Sequence, residues 1–218
     1  MDHTAPTHRR LDRKTKLALI VFLVALIGSV AALATWSAFS ATTANETNQF
    51  ATGTLDLSDN DSGTTLFNMS NAVGGDSVQK CITVSYTGTL TSNVRLYGAA
   101  TGGTGLDEWL DLEVTRGSFS GATPAGNACS GGGSSFVPDS VTYSGPNGAG
   151  SGGVLFSARM DQYPTSWTGG ISDAPGGTPT AWTAGSSHVY RLKVTVANDS
   201  SAAGKTHTQT FTWEAQNV

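Results

Sequence analysis

Between residues 188 and 197 the chain alternates without a break, with Tyr190, Leu192, Val194 and Val196 on one side and Arg191, Lys193 and Thr195 on the other. A sustained period of two is the mark of a sheet strand with one buried and one solvated face, and no helix satisfies it. Residues 80–86 repeat the pattern, with Ile82, Val84 and Tyr86 against Cys81, Thr83 and Ser85. Residues 208–215 do so with Phe211 and Trp213 against Thr210, Thr212 and Glu214. Shorter stretches of the same texture lie at 52–57, 64–69, 93–97, 112–116 and 154–158, separated by clusters of Gly, Ser, Thr and Asn. Helical spacing occurs only around residues 106–112. The expectation is an all-β fold, a two-sheet antiparallel sandwich of jelly-roll type with at most one short helix.

Two loops interrupt this series. Eleven glycines fall within residues 117–153, and the run from Cys129 to Ser135 is too rich in Gly and Ser to pack by itself, so a flexible surface excursion is expected there. Residues 164–183 carry Trp167 and Trp182, which read as lids over the end of the sandwich or as a platform for stacking on sugars.

The N-terminus has a different composition. Arg9, Arg10, Arg13, Lys14 and Lys16 precede an apolar run over residues 17–34, followed by small residues. A basic flank, a greasy stretch and a small-residue exit make a secretory signal, cut after Ala34 or after Ser37; an uncleaved membrane anchor is the alternative. Past residue 37 the chain holds seven basic and fourteen acidic side chains, a balance that excludes nucleic acid as a partner. The expected organisation is therefore a signal segment, 1–37, and one sandwich domain, 38–218, secreted or at the cell surface.

In an oxidising compartment Cys81 and Cys129 would most simply pair with each other; free thiols or a bond to another chain are the alternatives. Of four histidines only His188 and His207 lie in the exported part, at strand ends, and no metallopeptidase helix motif or nucleophile elbow occurs. Asp107, Glu108, Asp111 and Glu113 cluster as a carboxylate pair for hydrolysis would, or as a solvated turn. Residues 56–63 alternate oxygen ligands before a glycine, which marks Asp59 and Asp61 as a weak calcium candidate. The downstream Glu of a calcium-binding helix-loop-helix is missing, and a polar turn is the simpler account. Asn45, Asn60, Asn68 and Asn198 begin acceptor triplets for glycosylation, as chance alone provides in a Ser/Thr-rich chain.

The segment Ala34-Thr35-Trp36-Ser37-Ala38-Phe39-Ser40, followed by Asn48-Gln49-Phe50-Ala51-Thr52-Gly53-Thr54-Leu55-Asp56-Leu57, resembles the cleavage junction and first strand of the TasA/camelysin family of bacterial secreted proteins. The closing Thr210-Phe211-Thr212-Trp213-Glu214-Ala215-Gln216 is similar to the family's last aromatic strand. The resemblance implies export through a SipW-type signal peptidase, cleavage between Ser37 and Ala38, a jelly-roll domain, and a fibre-forming role in a biofilm matrix or surface layer. Other matrix proteins or polysaccharide are its implied partners. Family members also carry a metalloendopeptidase label. This chain has no recognisable zinc constellation, so the expectation is a structural protein without enzymatic activity or cofactor.

A route to assembly follows from the new N-terminus. Residues 38–47 carry one charge, Glu46, and one large apolar side chain, Phe39. Such a segment cannot hold a hairpin by itself. The stretch Ala38, Phe39, Ser40, Ala41, Thr42, Thr43 can add as a strand to an open sheet edge of a neighbouring copy, and head-to-tail addition builds filaments because it does not close. A monomeric sugar- or surface-binding module using Trp167 and Trp182, and a hydrolase using the acidic cluster, stand as alternatives.

Overall fold

The computed structural model describes residues 40–43, 55–61, 65–145, 147–174 and 181–217. The signal segment, the cleavage pair Ser37 and Ala38, and Phe39 lie outside the described residues. Thirteen strands appear among them. In chain order they are β1 (Ser40–Thr43), β2 (Leu57–Asp59), β3 (Ser77–Tyr86), β4 (Ser92–Tyr97), β5 (Ala100–Gly103), β6 (Leu110–Phe119) and β7 (Ser130–Gly131). There follow β8 (Ser134–Pro138), β9 (Val154–Arg159), β10 (Ile171–Ser172), β11 (Ser187–Val196), β12 (His207–Gln209) and β13 (Thr212–Asn217).

They form two principal sheets. The larger runs β2-β3-β11-β6-β8-β7, with β9 sharing the outer edge of β6, and the smaller runs β1-β13-β4-β10. A separate two-stranded ribbon joins β12 to β5. Every pairing is antiparallel, as expected of an all-β sandwich. The alternation seen in the sequence is what packs the two sheets together. Ile82, Val84 and Tyr86 of β3, with Tyr190, Leu192 and Val194 of β11, are buried against Val94 and Leu96 of β4 and Trp213 and Ala215 of β13. Each such side chain contributes roughly 1.5–3 kcal/mol by leaving water.

Several local expectations change. The helical spacing at 106–112 yields only a 3-10 turn, Asp107–Trp109, because Leu110 already turns extended (φ −104°, ψ 120°) to open β6. Residues 65–69 form no strand. Leu66, Phe67 and Met69 pack on the core from irregular chain, with Phe67 edge-to-face on Phe211 at 5.9 Å. The expected strand 208–215 breaks into β12 and β13, since the chain leaves the ribbon at Thr210 and enters the smaller sheet at Thr212.

The glycine-rich stretch is also more ordered than expected. Cys81 and Cys129 are joined in a disulfide with Cα atoms 5.0 Å apart, and the Cys81 amide donates to the Asn127 carbonyl at 2.9 Å. Strand β8 then pairs back onto β6, which requires Gly117: a Cβ there would sit 2.2 Å from the Val137 carbonyl oxygen. This excursion covers part of the face of β3, β6 and β11 that alternation assigns to water. Cys81 and Thr115 are buried beneath it, and the Arg191 guanidinium lies 5.3 Å from the Phe136 ring centre.

Candidate functional site

The edge strand β1 sits where the sequence places a joining segment. Ser40, Ala41, Thr42 and Thr43 pair antiparallel with Gln216, Ala215, Glu214 and Trp213 of β13. On its other side β13 pairs with β4, so Trp213 and Ala215 turn into the core and Glu214 turns to the outer face. There the Tyr97 hydroxyl donates to one Glu214 carboxylate oxygen, and Gln216 Nε2 donates to the other at 3.0 Å. Burial, then the hydrogen bond to Glu214 and its charge, push the Tyr97 phenol up to about 12, so it stays a neutral donor at physiological pH. This link holds β13 and β4 in register from outside. The other edge of β13 is the one that β1 occupies.

A second concentration of polar groups lies inside the sandwich. Asp173, just after β10, is only 5% exposed. His188 Nδ1 meets one of its carboxylate oxygens, the Tyr190 hydroxyl donates to the same oxygen at 2.7 Å, and Trp182 Nε1 donates to the other at 3.4 Å. Arg116 completes the ring, with Nη1 donating to the Asp173 carbonyl at 2.8 Å and lying 3.5 Å from its carboxylate. Burial pushes the Asp173 carboxyl up. The His188 hydrogen bond and charge, Arg116 and the Tyr190 hydroxyl outweigh it and hold the group below its ordinary value. Arg116 reaches on to Asp139 at 3.7 Å, which also accepts from the Tyr143 hydroxyl at 2.9 Å.

Sequence reasoning missed this network, since its members come from β6, β11 and two loops and no local motif announces them. Trp182 stacks on His188 with ring centres 4.1 Å apart and is 1% exposed, which removes it as a sugar platform. Trp167 lies under Arg95, 5.3 Å from the guanidinium carbon. The two tryptophans do not form one surface.

The acidic cluster is dispersed as well. Asp111 pairs with Arg159 at 3.2 Å, Glu113 with Arg191 at 2.8 Å, and Asp107 faces His207 at 3.8 Å. Asp59 Oδ1 accepts from the Asp61 amide at 3.2 Å, while Asn60 Oδ1 turns away to accept from the Thr83 amide at 2.8 Å. Burial, then a hydrogen bond and charge from Asp61, raise the Asp59 carboxyl to about 6. The Asp61 and Thr83 amides already occupy Asp59 Oδ1 and Asn60 Oδ1, the arrangement of a polar turn.

Residues 12–101 match the family model described as camelysin metallo-endopeptidase. No curated protein matches the chain. The match agrees with the resemblance read from the junction motif and from the first strand. It also corrects one expectation: the matching family model is named for a peptidase, which overturns the reading of the chain as no enzyme. Among the described residues no group of three or more His, Cys, Asp or Glu could hold a metal ion. His188 Nδ1 is occupied by Asp173 and its Nε2 faces Arg116 Nη2 at 3.3 Å, where a cation is repelled. The matched stretch itself contains no histidine. The described residues do not fit a metallopeptidase zinc, and no reaction step is derived through one. No helix among them is long and apolar enough to cross a membrane.

Proposed function

We propose, proceeding from the camelysin-family match over residues 12–101, that this is a secreted or cell-surface protein that polymerises through its N-terminal strand. The observation that carries the reading is the pairing of Ser40–Thr43 with β13. A four-residue Thr/Ala-rich strand at a sheet edge is held by backbone hydrogen bonds with few side-chain determinants. The same bonds are available to the equivalent segment of another copy. Exchange of β1 between copies is heterologous and propagates, giving a fibre. Removal of the signal segment after Ser37 by a SipW-type peptidase would free this strand to exchange, and the assembled form would join a biofilm matrix or surface layer.

Electron microscopy of the chain beginning at Ala38, beside a version lacking residues 38–47, tests the reading. Fibres from the first and monomers from the second are expected, and Phe39→Asp should leave a folded monomer. Fibres of unchanged length and number from the shortened chain would sink it. The family match favours a second reading, a peptidase, and the two are compatible. Cleavage of an unstructured protein substrate, with and without chelator, decides whether proteolysis accompanies assembly.

A further inference from the structure

A cavity of about 840 Å³ opens between the two sheets at the end where β2 and β12 meet the irregular stretch 65–73. Its walls are largely apolar, formed by Phe67, Ile82, Leu110, Val194 and Phe211 with threonine and amide side chains interspersed. That volume falls within the range of sites that enclose a small molecule rather than a single side chain. The polar groups on its wall are unevenly charged. Asp59 and Asp61 line it and are half-buried, and no lysine or arginine is among the described residues that line it. His207 also lines it, but its ring nitrogens are directed to Gln209 Oε1 at 3.1 Å and Asp107 at 3.8 Å.

We infer that this cavity binds an amphiphile with one apolar chain and a cationic head, the chain lying between the sheets and the head against Asp59 and Asp61. The apolar walls select for a hydrocarbon chain, since a polar ligand would lose its hydrogen bonds there. The carboxylate pair selects the sign of the head. An anionic head would meet repulsion, with no basic side chain among the described residues of the wall to offset it.

The test uses the chain beginning at Ala38 and sub-micellar dodecyltrimethylammonium, dodecyl sulfate and tetramethylammonium in titration calorimetry. One ammonium amphiphile per chain is expected, bound at least tenfold more tightly than the sulfate of equal chain length, with no binding of the headgroup alone. Joint Asp59→Asn and Asp61→Asn substitution should bring the preference between the two heads close to one. The exposed pair Glu108→Gln and Asp161→Asn removes the same charge from the surface and should leave the preference intact. Equal affinity for both heads in the unaltered chain would overturn the proposal, as would equal effects of the two double substitutions. So would displacement of the ammonium probe by a peptide of residues 38–47, which would make the cavity a socket for a second copy.

Discussion

Removing the charge of Asp173 would take the carboxylate acceptor from His188 and the Tyr190 hydroxyl and the 3.5 Å counter-ion from Arg116, which would keep only the Asp173 carbonyl there. Breaking a buried pair by deleting one partner costs roughly 3–5 kcal/mol. Asp173→Asn should lose about that much at neutral pH in urea unfolding. The pH dependence has a definite sign. The folded-state carboxyl titrates below its ordinary value, so its stabilisation is present above about pH 4 and fades as pH falls toward the folded-state value. The gap between the two proteins should therefore narrow in acid, and a gap of constant size from pH 7 to pH 3 would contradict the assigned charge state. None of this was legible residue by residue. His188 reads as a solvated strand end and Trp182 as a loop aromatic, because what buries them is the approach of β10 to β4 and the return of the chain at Trp182 onto Ser92.

At the level of elements, alternation served well where a strand buries one face along its whole length, as β3 and β11 do. It failed where apolar residues reach the core from chain with no strand geometry, as Leu66, Phe67 and Met69 do. The glycine-rich excursion misled for a different reason. Glycine signals freedom in the unfolded chain, but Gly117 is needed here for close approach between β6 and β8, and a covalent tie anchors the segment between them. The Cys81–Cys129 bond closes a loop with a sequence separation of 48. Its loss should cost about 4 kcal/mol by the chain-entropy account. Joint Cys81→Ala and Cys129→Ala substitution should lower the midpoint of unfolding accordingly. Hydrogen exchange should rise first in residues 120–138 and in the outward amides of β3; exchange spread evenly over both sheets would argue that the tie serves the whole fold and not this flap.

On the scale of the whole molecule, the sequence indicated which segment could join copies, but not the edge that receives it. Sheet order is set by contacts between residues far apart in the chain, and nothing local to residues 208–217 reveals that β13 lies one strand from the edge. The antiparallel register also brings Ser40 and Gln216 to the same end of the ladder. An Asn-Gly turn could bridge them as a tight hairpin, and the chain could be reopened between residues 48 and 49. This permuted protein would have the same sheet order and the same buried residues, yet β1 would be joined directly to its own β13 through the turn. It should fold as stably as the original and remain a monomer by light scattering at concentrations where the original forms fibres. Fibres from the permuted chain would mean that copies meet through some other surface. Connectivity alone, with every side chain in place, would then separate folding from assembly.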